Sequence, residues 1–206
     1  APSSAFNDLD TVTNTARITE YWGLNAADRT GNPDAREYPE GAEPEDSVTL
    51  TVHLPQPEVV KTVANSGNAE INQPLEWTLT IGNNSPVATL NDIDVADVLP
   101  TGWVYDAGST TLDSVPYIDP TILGQSLSWT NIGDIAGGGP DKVLRFTAHP
   151  TMASLSGGNP TNPYVNNVAI AGRDDSGAAG HGTPGTPYSD NDSAEANIQM
   201  PNLSIT

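Results

Sequence analysis

The chain of 206 residues contains no cysteine, so any covalent reinforcement of the fold must use chemistry other than disulfides. Basic residues are also scarce: 7 Lys and Arg stand against 26 Asp and Glu, which gives a formal net charge of −19. Nucleic acids and anionic membranes bind basic patches, so neither is expected as a partner. No apolar run approaches the roughly 18 residues of a membrane-spanning helix, and membrane insertion is not expected.

Catalytic motifs are missing as well. The three histidines, His53, His149 and His181, are scattered along the chain. Neither H-E-x-x-H nor G-x-S-x-G occurs, and "AGGGP" at 136–140 precedes a strand pattern instead of a phosphate-binding helix. We therefore expect no enzymatic activity.

What the chain has in abundance is turn residues between short alternating segments. It contains 19 glycines and 18 prolines, and helical periodicity is absent. Apolar residues alternate with polar ones in "LEWTLTI" (75–81), "NDIDVADVLP" (91–100), "QSLSWT" (125–130) and "KVLRFTAH" (142–149). Seven or more such strands in about 145 residues predict an all-β, immunoglobulin-like antiparallel β-sandwich.

Two segment pairs indicate a tandem repeat. "VTNTARI" (12–18) aligns with "VNNVAIA" (165–171), which places Asn14 over Asn167 at an offset of 153 residues. "DSVTLTVHLPQPEVV" (46–60) aligns with "DSAEANIQMPNLSIT" (192–206) at an offset of 146. We expect residues 1–55 to be the last strands of one repeat, 56–200 a complete repeat, and 201–206 the first strand of another.

Three polar residues interrupt apolar strand faces. Lys61 lies between Val59 and Val63, Asp97 follows Ile93 and Val95, and a third such residue is Asn167, between Val165 and Ala169. If these faces form the core, each polar group is costly unless the three meet one another.

The stretches "KTVANSG", "LEWTLTIGNNSP", "LNDIDVADVLPTGWVYDAGS" and "VNNVAIAG" resemble the bacterial conserved repeat domain (domain of unknown function 11), a relative of isopeptide-forming adhesin and pilin domains. In such relatives, a first-strand lysine and a last-strand asparagine join in a spontaneous amide that a carboxylic acid promotes. The resemblance implies Lys61 and Asn167 as the linked pair, with Asp97 as the acid. Asn166 is a rival for Asn167, but it faces the opposite side with Val168 and Ile170. The alternatives are a non-covalent Lys–Asp–Asn cluster and a solvent-exposed Lys61.

A weaker pattern lies in the acidic segment 172–192. Asp174, Asp175, Asp190 and Asp192 could converge on a calcium ion, which prefers six to eight oxygen ligands, although their spacing is not that of an EF-hand. The alternative is a solvated acidic loop. No other cofactor is expected.

Together these features predict a structural segment of a secreted stalk, fibre or filament at the bacterial cell surface. The expected partners are other repeats or other copies of the same protein, joined by strand complementation between copies. The competing hypothesis is an adhesin module that binds a glycan or a protein through its acidic loops or through "YWG" at 21–23.

Overall fold

The computed structural model describes residues 7–17, 21–22, 24–32, 37–38, 45–174 and 187–200. Within these residues the chain is built of strands and three short 3-10 turns, and no helix there is long and apolar enough to span a membrane. The 3-10 turns are Ala26–Asp28, Ala64–Gly67 and Met152–Ser154. The strands are β1 (Thr11–Arg17), β2 (Tyr21–Trp22), β3 (Glu37–Tyr38), β4 (Glu45–Thr51), β5 (Pro57–Val63), β6 (Asn68–Ala69), β7 (Leu75–Asn83), β8 (Asn91–Val98), β9 (Trp103–Tyr105), β10 (Thr111–Leu112), β11 (Val115–Pro116), β12 (Thr121–Leu123), β13 (Ser126–Trp129), β14 (Lys142–Pro150), β15 (Tyr164–Arg173) and β16 (Pro187–Ile198).

The described residues divide into two compact units, and the division falls between Val52 and His53. The smaller unit contains β1 to β4, and the larger one contains β5 to β16. The division lies close to the repeat boundary expected after residue 55. The repeat organisation itself stays a prediction.

The larger unit is an antiparallel β-sandwich of the immunoglobulin-like class, as the sequence predicts. Its first sheet has the order β11-β10-β14-β7-β5, with β9 also paired to β14. Its second sheet has the order β12-β13-β8-β15-β16-β6, in which only the short β6 runs parallel to its neighbour β16.

The core lies between the two sheets and is formed by the alternating residues of the strands. The first sheet contributes Leu75, Trp77, Leu79 and Ile81 from β7 and Leu144, Phe146 and Ala148 from β14, all buried. The second contributes Ile93 and Val95 from β8, Leu127 and Trp129 from β13, and Val168 and Ile170 from β15. The alternation of apolar and polar residues predicted for β7, β8, β13 and β14 is confirmed as one buried face on each strand.

The two sheets are joined along one edge by side chains from β16. The carboxylate of Asp190 accepts a hydrogen bond from the backbone N–H of Val59 over 2.9 Å, and Asp192 accepts one from the N–H of Lys61 over 2.7 Å. Among the described strands, β5 pairs with β7 on one side and with none on the other. The two carboxylates therefore occupy donors that an edge strand would leave open to another chain.

The smaller unit contains an antiparallel ribbon of β1 and β4 in which Asn14 lies opposite Val48. All the side chains of this ribbon are exposed. A short pairing of β2 with β3 also belongs to this unit.

We expect removal of one carboxylate from the β5–β16 seam to weaken the fold. Asp190→Ala should lower the free energy of unfolding by about 1 to 2 kcal/mol, because a partly buried N–H loses a charged acceptor. Denaturant unfolding measures the change. Asp190→Asn, which keeps an oxygen acceptor, should cost less. Glu195→Ala, at an exposed position of the same strand, is the matched control. An equal loss in Asp190→Ala and the control would contradict the assigned role.

Candidate cross-linking site

Lys61 is buried in the sandwich. Only 4% of the residue is exposed, and none of its side chain is. Its Nζ lies 5.4 Å from the ring centroid of Trp77 and 5.6 Å from that of Phe146. The amine thus lies among aromatic rings, where water cannot compensate a charge.

Asp97 faces Lys61 from the opposite sheet. It lies on β8, it is completely buried, and its Oδ2 accepts a hydrogen bond from Lys61 Nζ. Its second oxygen, Oδ1, has no hydrogen-bond partner among the described residues. The contact predicted between Lys61 and Asp97 is present.

Asn166 completes the cluster from the strand beside Asp97. In the β8–β15 register, Asp97 lies opposite Val168, so Asn166 is two residues along β15 on the same face. The residue is completely buried, and neither its Oδ1 nor its Nδ2 has a hydrogen-bond partner within the described part of the chain. An unsatisfied carboxamide in a core costs about 1 to 3 kcal/mol. A group of this kind requires an explanation, and a chemical role is one.

The choice of Asn167 for the cluster is wrong, because that residue is exposed on the outer face of β15. The strand turns its bulkier side chains, Tyr164, Val168 and Ile170, into the core. The outer face carries Val165, which is 40% exposed, and the small Ala169. Side-chain size was the signal in the sequence that could have identified Asn166.

Burial shifts both titrating groups towards their neutral forms. It lowers the pKa of Lys61 below its ordinary value, and the negative charge and hydrogen bond of Asp97 oppose only part of that shift. It also raises the pKa of Asp97, against the opposing effect of Lys61. Asn166 lies close enough to Asp97 to oppose a smaller part of the rise, although no pair of atoms between them has hydrogen-bond geometry.

This arrangement suits an attack of nitrogen on a carboxamide. A neutral amine is a nucleophile, and a protonated carboxylic acid can donate a hydrogen bond to a carbonyl oxygen and carry protons between nitrogens. The fold places both Lys61 and Asn166 next to Asp97, and holding reacting groups near one another lowers the barrier to reaction.

Three of the four aspartates predicted as calcium ligands are described, and each accepts a hydrogen bond from another group of the protein. Asp190 and Asp192 bind backbone N–H groups of β5, and Asp174 accepts a hydrogen bond from Tyr188 over 3.4 Å. Asp175 lies outside the described residues. No group of three or more His, Asp or Glu side chains that could hold a metal occurs in the part of the chain that is described.

The three tryptophans whose side chains are described are not accessible for sugar stacking. Trp77, Trp103 and Trp129 are buried in the core. Of "YWG" at 21–23, the structure describes the backbone of Tyr21 and Trp22 but not their side chains, and Gly23 lies outside the described residues.

Comparison with known proteins gives distant structural likenesses. No protein-family model and no curated protein matches the chain. A C-terminal fragment of the major pilin GBS80 of Streptococcus agalactiae is similar at 12% identity and a TM-score of 0.46, over 68% of this chain and 56% of that one. The major pilin subunit BcpA of Bacillus cereus is similar at 11% identity and a TM-score of 0.49, over 75% and 49%.

The chain therefore spans about half the length of these pilin chains. At such low values the likenesses carry no functional inference. Membership of the conserved repeat domain stays a prediction.

The pKa shifts predict an unusual pH dependence in a variant that cannot form an amide, Asn166→Ala. From the lowered pKa of Lys61 up to 10.5, the unfolded chain binds more protons than the folded one, so stability should rise with pH. From pH 3.8 up to the raised pKa of Asp97, the folded chain binds more protons than the unfolded one. Stability should therefore fall as pH rises between these two values.

Urea unfolding of Asn166→Ala across the pH range checks this, with Asn166→Ala/Lys61→Met as the control. The alkaline rise should be present in the single variant and absent from the double variant. The same alkaline profile in both would show that Lys61 is not the group responsible.

Proposed function

We propose that this chain is a structural segment of an extracellular fibre or stalk, and that an isopeptide bond between Lys61 and Asn166 locks its sandwich. The observation that carries the proposal is the buried cluster of Lys61, Asp97 and Asn166, which contains three polar atoms without hydrogen-bond partners among the residues that the structure describes. A purely structural ion pair would leave the carboxamide of Asn166 unsatisfied at a cost to stability.

The reaction needs only the three side chains: an amine and a carboxamide give an amide and one ammonia. The neutral Nζ of Lys61 attacks Cγ of Asn166, while protonated Asp97 stabilises the oxygen of the tetrahedral intermediate. Asp97 then moves a proton from the attacking nitrogen to the leaving nitrogen. An amide forms, one ammonia departs, and Asp97 recovers its proton. The reaction occurs once per chain, so it is not enzymatic turnover.

The bond would join the two sheets, because Lys61 lies in the first sheet and Asn166 in the second. It closes a loop of 105 residues (166 minus 61). By analogy with a disulfide, a loop of this size stabilises the fold by about 4 to 5 kcal/mol through the entropy of the unfolded chain.

The position of the bond suits a load-bearing segment. Lys61 lies on β5, the first strand of the larger unit. Asn166 lies on β15, the last strand but one of the same unit. Tension that enters at β5 would pass through the bond to β15, so strands β6 to β14 would carry none of it. The net charge of −19 further favours solubility and an extended arrangement through self-repulsion.

Intact mass spectrometry tests the bond. The folded chain should be lighter than its sequence mass by one ammonia, and both Lys61→Met and Asn166→Ala should restore the full mass. Asn166→Ala keeps the Lys61–Asp97 pair and is the variant more certain to fold. Asn167→Ala, one position away on the outer face, is the matched control and should keep the deficit. Full sequence mass in the folded wild-type chain would refute the proposal.

Single-molecule pulling tests the mechanical role. With the bond in place, complete unfolding should release a contour shorter by 105 residues, or roughly 350 Å at about 3.4 Å per residue. Asn166→Ala should recover that length, and Asn167→Ala should not. Equal contour lengths in the wild-type chain and Asn166→Ala would show that no bond carries the load.

A further inference from the structure

The β1–β4 ribbon has one polar face and one apolar face. The odd-numbered positions carry only polar side chains, namely Thr11, Thr13, Thr15, Arg17, Glu45, Ser47, Thr49 and Thr51. The even-numbered positions carry Val12, Asn14, Ala16, Asp46, Val48 and Leu50. Val48 is 55% exposed and Leu50 is 60% exposed, so the apolar face is uncovered within the described unit. An isolated two-stranded ribbon is marginal in water, and such a face indicates a missing partner.

The register of the ribbon shows what it corresponds to. Three successive pairs on its apolar face are Val12–Leu50, Asn14–Val48 and Ala16–Asp46. Three successive pairs on the core face of β15–β16 are Tyr164–Ala196, Asn166–Ala194 and Val168–Asp192. Both series place an asparagine opposite a small or branched apolar residue, and both place an aspartate one pair further on.

The pairing register favours an alignment that differs by one residue from the letter-by-letter alignment. By the register, Asn14 corresponds to Asn166 at an offset of 152 instead of Asn167 at 153, while Asp46 corresponds to Asp192 at 146, as before. A slip of one residue exchanges the two faces of a strand, which is why the distinction matters.

The larger unit shows what covers a ribbon of this kind. The core face of β15–β16 packs against the first sheet, and Asp192 accepts a hydrogen bond from the backbone N–H of Lys61. Strand β8 pairs with the edge of β15 that faces away from β16. Strands of the β5 to β14 type therefore provide the cover, and they come before β15 in the chain. A second copy of this chain does not offer uncovered strands of this type, because its own β15 and β16 already cover its strands β5 to β14.

We propose that the β1–β4 ribbon docks onto an upstream segment of the same polypeptide that has β5- to β14-type strands, and that Asn14 accepts an isopeptide bond from its lysine. The bond rests on the proposed function of Lys61 and Asn166. The lysine amine attacks Cγ of Asn14, one ammonia leaves, and an acid at the position of Asp97 moves the proton. Asp46 accepts a hydrogen bond from the backbone N–H of that lysine, as Asp192 does from the N–H of Lys61.

A fused chain provides the missing strands. A second copy of residues 53–163 is placed directly before Val12, since residue 163 precedes the residue that corresponds to Val12. The fused chain should lose two ammonia molecules where the original chain loses one. Asn14→Ala in the fused chain should reduce the loss to one. Thr15→Ala, on the polar face, is the matched control and should leave it at two.

Amide hydrogen exchange of residues 12–17 and 45–51, which both chains contain, reports docking separately from the bond. It should be slow in the fused chain and fast in the original one. Fast exchange in the fused chain would overturn the docking, whatever the masses. Slow exchange without loss of a second ammonia, in a fusion whose original unit still loses one, would overturn the role of Asn14.

Two further outcomes are decisive. Protection of the ribbon in the original chain that grows with protein concentration would assign the face to a second copy and overturn the upstream source. Failure of the original chain to lose any ammonia would refute the isopeptide in both places, and the exchange data alone would then decide the docking.

Discussion

The structure depends on how the sandwich accommodates one buried amine. Lys61 lies with its whole side chain out of water, and its partner Asp97 comes from the opposite sheet. A buried ion pair gains little net stability over apolar side chains of the same size, because desolvation offsets the attraction. The pair is therefore poorly explained as a stabilising contact alone. In the proposed isopeptide reaction, the shift of both pKa values towards the neutral forms would prepare Lys61 as nucleophile and Asp97 as acid beside Asn166.

The seam between the sheets also depends on partly buried charged side chains. Asp190 and Asp192 face inward from β16 and act as acceptors for the backbone of β5, where a neighbouring strand would otherwise supply carbonyl groups. Asp192 also adds a negative charge near Lys61. The seam and the buried cluster therefore share Lys61, and a distortion of one would move the other.

Much of the sandwich could be predicted from the sequence, because its strands alternate large apolar residues with polar ones. Strand β15 could not be predicted so easily: it has apolar residues on both faces and an asparagine on each, so period alone gave Asn167 where size favours Asn166. The role of Asp190 and Asp192 was also hidden. A run of acidic residues gives no sign that single carboxylates replace a neighbouring strand. The match proposed between Asn14 and Asn166 required the pairing register, since letter-by-letter alignment of the sequence places Asn14 over Asn167, one residue away.

The central claim is that the Nζ of Lys61 is an amide nitrogen. The chain has only two lysines, Lys61 and Lys142, so nuclear magnetic resonance of protein labelled with ¹⁵N at lysine Nζ would resolve both. We predict one amide-type signal that bears a single proton and correlates with the side-chain carbonyl carbon of Asn166, beside one ordinary ammonium signal from Lys142. Two amine or ammonium signals, with no correlation to that carbon, would contradict the account.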